Sequence, residues 1–304
     1  GGMRSITLVQ AFQYWLKLTA IAVPVVFLCL AWRADGAPAA SGAHPPVFPS
    51  QTTVRVDTDI AIRVSTPVEV TVSGVVDGTP HRRADVHLDT GEHTVEAGTR
   101  VTFGKGDPVP TASHLRSLPG DDWARPLGSG QDHPLYATYS LILATFLGTM
   151  GLPHVLVRFY TNPDGRAARR TTVMVLSLLG AFYLLPAVYG ALGRLYTPEL
   201  LMTGRADAVV LTLPGRLIGG LGGDLLGALV TGGAVAAFLS TSSGITVSVA
   251  GVIAQDILRG GVRSFRAGTL LALVVPLALA IAARALPVAD VVGLAFAVAA
   301  STFC

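Results

Sequence analysis

Charged side chains are scarce in this 304-residue chain, at 13% against roughly 25% in an ordinary soluble domain, which disfavours a purely soluble globule. Basic residues barely exceed acidic ones, 22 against 19, so there is no concentrated basic surface for nucleic acid. Cysteine is almost absent: Cys29 sits inside an apolar run and Cys304 is the last residue, leaving neither a disulfide framework nor a cysteine metal site. An initiator methionine is missing from position 1, and no polar end follows the apolar stretch that stops at Cys304. The expectation is an internal piece of a longer chain. What is plentiful is apolar residues, 51% of the total.

These residues are gathered in long runs. A bilayer core of about 30 Å takes about 20 apolar residues in helix, because no water is there to satisfy backbone groups. Leu8 to Trp32, Leu135 to Tyr160, Thr172 to Leu195, Leu221 to Leu258 and Arg266 to Leu286 meet that length, and Ala289 to Cys304 begins a sixth run. Leu221 to Leu258 exceeds one straight span, so tilt, a break near its Ser/Thr cluster or a helical extension into water is expected. Arg166, Arg169 and Arg170 in one connection, and Arg259, Arg263 and Arg266 in another, place both on the cytoplasmic side by the positive-inside rule. Alternation then puts the amino end inside, and residues 34–133 and the Tyr196 to Gly220 loop outside. The expected organisation is a first membrane helix over 1–33, an extracytoplasmic β-rich insertion with flexible flanks over 34–133, and further membrane helices over 134–304.

Residues 34–133 differ in composition. Thr52 to Val56, Ile60 to Val64, Val68 to Val76, Ala84 to Leu88 and Arg100 to Phe103 are short runs rich in Val, Ile and Thr, separated by turn residues such as Asp77-Gly78. They read as a small antiparallel β domain. His81, His87 and His93 with Asp85 and Glu92 fit no metal-ligand spacing and read as solvated strand faces.

Polar groups at membrane depth point to function, because they are costly there. Gln10, Gln13 or Tyr14, and Lys17 share one stripe of the first helix by three-and-four spacing. They form either a face buried against neighbouring helices, with Lys17 snorkelling, or the lining of a permeation path. In Gly148-Thr149-Met150-Gly151-Leu152-Pro153-His154, the glycines and the proline favour a discontinuous helix or a plain proline kink. His154 reads as a hydrogen-bonded packing residue or a proton carrier. Ser240-Thr241-Ser242-Ser243 offers hard oxygens to a small cation, or bonds to its own backbone.

The three motifs, in this order, resemble the sodium/solute symporter family, and most closely its cation/acetate branch. Gly1 to Gln13 is similar to the entry to the family's fifth core helix, Gly148 to Phe159 to its broken sixth, and Ala237 to Leu258 to its eighth. The resemblance implies an all-α polytopic membrane bundle, the second repeat of a ten-helix inverted-repeat transporter fold, with the β domain as an inserted extracytoplasmic element. It implies sodium-coupled symport of a small organic acid, a short monocarboxylate such as acetate, in the bacterial inner membrane. Sodium would be held by Ala237 through its carbonyl and by the side chains of Ser240 and Thr241. Thr149, Met150 and Gly151 would line the substrate pocket, and Gln10, Gln13 and Lys17 are the path-lining candidates. Gln10 stands where many members have an aspartate, which removes the charge for a second coupling site. No catalytic residue, and no cofactor beyond the coupling ion, is implied. The alternative is a membrane-anchored receptor or sensor whose β domain binds the ligand.

Overall fold

The computed structural model describes residues 3–39, 46–115, 133–151, 164–258, 260–283 and 288–301. Two compact units divide the chain, one of Gly1–Thr19, Asp132–Ala181 and Gly232–Cys304, the other of Ala20–Gln131 and Phe182–Thr231.

The helices are α1 (Met3–Ala34), α2 (Pro134–Gly151), α3 (Gly165–Tyr196), a short α4 (Glu199–Met202), α5 (Val209–Leu217), α6 (Gly220–Val252), α7 (Val262–Ala282) and α8 (Val288–Ser301). Within them, Ala11–Ala34, Gly165–Tyr196, Gly220–Ile257 and Val262–Ala282 are long and apolar enough to cross a membrane. Their outward faces are apolar: Leu273, Leu277 and Ile281 of α7 are all exposed, the pattern lipid requires and water penalises.

Two connections are more ordered than expected. Residues 161–171 read as a loop, yet α3 starts at Gly165 because Asp164 Oδ1 accepts the Ala167 amide at 2.7 Å and caps the helix. The Arg166 to Arg170 cluster therefore lies on its first turns. Residues 196–220 hold α4, a 3₁₀ turn at Ala206–Ala208 and α5. The guanidinium of Arg216 on α5 meets the largely buried Glu199 carboxylate of α4 at 3.0 Å.

The long run from Leu221 does not break at its Ser/Thr cluster. The hydroxyls of Ser242, Ser243 and Ser248 donate to the carbonyls of Leu239, Ser240 and Gly244, which leaves the backbone ladder of α6 intact. The ladder loosens only at its end, in a π turn over Ile253–Ile257.

In the second unit, Val25 and Leu28 of α1 pack on Tyr189 and Leu192 of α3 and on Leu213 of α5. Pro24 removes one donor from α1 and crowds the preceding turn. The carbonyl of Ile21 in that turn accepts the Tyr189 hydroxyl at 3.3 Å.

The β domain is one curled antiparallel sheet of seven strands: β1 (Thr52–Arg55), β2 (Ile60–Val64), β3 (Val68–Val76), β4 (Thr79–Leu88), β5 (Gly91–Val95), β6 (Arg100–Phe103) and β7 (Thr111–Ala112). They run in the order β1-β6-β3-β5-β2-β7, with β4 on the other edge of β3. Period-two burial builds the core: Val54, Ile62, Val64, Val68, Val70, Val72, Val101 and Phe103 all point inward. The β3–β4 hairpin turns on Asp77 and Gly78, both at positive φ, as a two-residue turn matched to strand twist demands. Arg83 is the extra residue where the register slips between Val72 and Ser73. At Gly74, a Cβ would fall 2.6 Å from the Thr99 Cα, so only glycine lets the buried Thr99 hydroxyl reach the Val75 amide at 3.0 Å.

Met202 of α4 is fully buried within this same β core, with Leu201 packed against it. A connection between two membrane-length helices thus supplies a side chain to the β domain's interior.

Candidate functional site

Of the sequence candidates, the structure brings two together. Lys17, in the middle of α1, donates from Nζ to Ser240 Oγ on α6 at 3.1 Å, across 223 residues of chain. Ser240 is only 4% exposed, although the residues around it, Phe238, Leu239 and Thr241, are exposed. Helical spacing explains the contrast. Gly233, Ser240, Gly244 and Ser248 form the buried stripe of α6, and Thr241 is turned about 100° from Ser240 around the helix and is exposed. The half-buried Ala237 lies between them, three residues before Ser240 and four before Thr241.

Gln13 lies one turn before Lys17 on α1 and is half-buried. Among the described residues its Oε1 is a buried acceptor with no hydrogen-bond partner, a costly condition away from water. Tyr14, beside it, donates its hydroxyl to the Leu178 carbonyl of α3 at 3.0 Å. Gln10 belongs to α1, but its side chain lies outside the described residues.

Thr149 is exposed near the end of α2, with its hydroxyl committed to the Thr145 carbonyl at 2.7 Å. Met150 and Gly151 close that helix, and their side chains, like all of Leu152 to Pro163 with the anticipated break at Pro153 and His154, lie outside the described residues. Close packing holds α2 in place. A Cβ on Gly148 would fall 2.6 Å from the Phe296 carbonyl oxygen of α8, so the two helices meet through backbone, as small residues allow in membranes. Gly268 of α7 approaches the Ala250 carbonyl of α6 in the same manner, at 2.8 Å for an added Cβ.

In the β domain, His93 Nδ1 lies 2.7 Å from Asp77 Oδ2 and its Nε2 lies 2.9 Å from the Asp89 carbonyl. The Thr94 amide donates to Asp77 Oδ1 at 2.7 Å. Burial lifts the Asp77 carboxyl, but the His93 and Thr94 hydrogen bonds and the His93 charge outweigh it and hold the group below its ordinary value. Burial lowers His93, and the bonds to Asp77 and Asp89 with their charges outweigh that too, raising it. His87 and Asp89 approach at 3.5 Å. His93 is thus held by a carboxylate and a carbonyl, and His87 lies beside a carboxylate.

Sequence reasoning marked Lys17 and Ser240 separately and missed their contact. The usable signal was that each is a polar group in the middle of an otherwise apolar span, and such groups seek one another in a bundle.

A family model described as "Sodium:solute symporter family" matches residues 119–304, more than half of the chain. The chain belongs to the sodium:solute symporter family. That family is one of transporters and not of enzymes. Among curated proteins, the chain is 37% identical over 193 residues to "Uncharacterized symporter YwcA" of Bacillus subtilis, covering 60% of this chain and 37% of that protein. It is also 37% identical over 177 residues to "Monocarboxylic acid transporter" of Corynebacterium glutamicum, covering 53% of this chain and 31% of that protein. The chain thus spans about a third of the length of the curated symporter relatives it matches. No solved structure matches it.

Proposed function

We propose that the chain is part of a secondary active carrier that moves a short monocarboxylate, such as acetate, across the bacterial plasma membrane together with sodium. The observation that carries this reading is the buried Ser240 hydroxyl at mid-length of a membrane-length helix, facing a cationic group across the bundle. Hard neutral oxygens buried at that depth suit a small, weakly polarisable cation. Sodium is assigned to the Ala237 carbonyl and the side chains of Ser240 and Thr241. Family membership and the similarity to a protein named for monocarboxylic acids support the solute class.

In this reading, Thr149, Met150 and Gly151 face the substrate pocket, and free amides at a broken helix end meet the carboxylate, where the helix dipole favours negative charge. Joint binding of ion and solute at the membrane midplane favours rocking of the two bundles of a ten-helix inverted-repeat fold. The arginines at 166, 169 and 170 face the cytoplasm, and the β domain lies outside.

The test is uptake of labelled acetate by the full-length protein in proteoliposomes, with and without an inward sodium gradient. Accumulation that follows the gradient supports the reading. Equal uptake in both conditions, or none above protein-free vesicles, rejects sodium-coupled monocarboxylate symport.

A further inference from the structure

The Lys17 ammonium sits on the very oxygen that the proposed function assigns to sodium. A serine hydroxyl has two lone pairs, and one of them already accepts from Nζ at 3.1 Å. A sodium ion bound to the same oxygen would lie within a few ångströms of a second full positive charge, in a buried place where Coulomb repulsion is screened far less than in water. The two cations cannot share Ser240.

The helix also offers the ammonium somewhere else to go. In an α-helix, side chains lean toward the amino end, over the preceding turn. The flexible four-carbon stem of Lys17 therefore sweeps the turn that carries Gln13, whose Oε1 is buried and without a partner among the described residues. Two neutral acceptors on facing helices, one bonded to the ammonium and one without a partner among the described residues, lie within the range of one tethered cation.

Resting on the carrier reading, we infer that Lys17 is a built-in competitor of the transported cation: its ammonium occupies Ser240 when the site holds no ion, and sodium binding displaces it toward Gln13. The ion-free carrier thereby keeps a positive charge at the buried hydroxyl when it crosses the membrane empty. The affinity of the site for sodium is set by the difference between the two positions of Lys17.

The inference assigns opposite signs to two neighbouring substitutions. Sodium binding is measured with ²²Na⁺ on purified full-length protein, without any solute, so that it does not depend on the substrate being right. Lys17→Met, which keeps the stem and removes the charge, should bind sodium at least about tenfold more tightly than the parent. Lys17→Gln is the second neutral variant should the first not fold, and Lys17→Arg should stay near the parent. Gln13→Leu removes the alternative position and should weaken binding about threefold or more, an effect that disappears when Lys17→Met is added. If the parent binds no measurable sodium and Lys17→Met does, the inference is supported in its strongest form.

Equal or weaker binding in folded Lys17→Met and Lys17→Gln, or no sodium binding in any variant, overturns it. Acetate uptake assayed on the same preparations separates the two claims. Absent uptake with a Lys17-dependent sodium affinity defeats the monocarboxylate reading alone. Sodium-driven uptake with an unchanged affinity defeats the competitor alone.

Discussion

The guanidinium of Arg205 lies 3.7 Å from the carboxylate of Asp57, three residues beyond Met202, whose side chain ends inside the β core. The connection from α3 to α5 is therefore fastened to the β domain at two points of very different strength. Asp57 and Arg205 are both about two-thirds exposed, and pairs of that kind contribute about 0–1 kcal/mol. Met202 is fully buried, and truncating such a side chain costs about 2–5 kcal/mol. Met202→Ala should raise hydrogen exchange throughout β3 and β6 in detergent-solubilised protein, while Arg205→Ala should leave it nearly unchanged. Similar small effects from both would mean that α4 only rests against the sheet.

The His93–Asp77 pair gives the β domain a pH signature. His93 titrates above its ordinary 6.5, so its contribution is complete below that value and is lost as pH rises through the raised one. Asp77 titrates below its ordinary 3.8, so its contribution is complete above that value and is lost as pH falls through the lowered one. Both are present together between about 4 and 6.5. Protection of the Asp77–Gly78 hairpin and of β5, corrected for intrinsic exchange, should be greater at pH 5.5 than at pH 8. The difference should vanish in Asp77→Asn. An unaltered pH response in that variant would assign the effect to another group.

Helix contacts through glycine set a third expectation. Gly148→Ala and Gly268→Ala drive a Cβ against backbone oxygen, which cannot move aside without shifting a helix, at about 1–3 kcal/mol each. An added Cβ at Gly180 of α3 meets nothing within 4 Å, so Gly180→Ala should be neutral or stabilise by up to about 1 kcal/mol. Thermal unfolding in detergent should rank the three accordingly. Comparable losses at all three would contradict the packing.

The outline of the fold was legible where one physical signal dominated. Apolar length marked α1, α3, α6 and α7, and the Asp77-Gly78 turn with flanking valines marked the β3–β4 hairpin. Strand β5 was not legible because only Val95 of its five residues is buried, and Glu92 and His93 gave it a charged look. The role of Met202 was hidden for a related reason: a single methionine in a connection carries no periodicity, and its burial depends on a sheet formed more than 80 residues earlier. At the candidate site, residue types were readable, but the pairing of Lys17 with Ser240 is tertiary. The same holds for the difference between Ser240 and Thr241, adjacent in sequence and opposite in burial.

That difference gives a site-level prediction. Ser240→Ala removes the buried hydroxyl and should reduce sodium-stimulated acetate uptake at least about tenfold, whereas Thr241→Ala, on the exposed face, should reduce it less. Initial rates against sodium concentration decide it. A larger loss at Thr241 would move the ion away from Ser240, toward the exposed side of α6.

The central claim is tested most directly by the sodium dependence of labelled acetate uptake in proteoliposomes holding the full-length protein or its Ser240→Ala, Thr241→Ala double variant. The account predicts accumulation that follows an inward sodium gradient in the parent and collapses in the double variant despite a normal amount of folded protein. Gradient-independent uptake in the parent, or full uptake in the double variant, would contradict it.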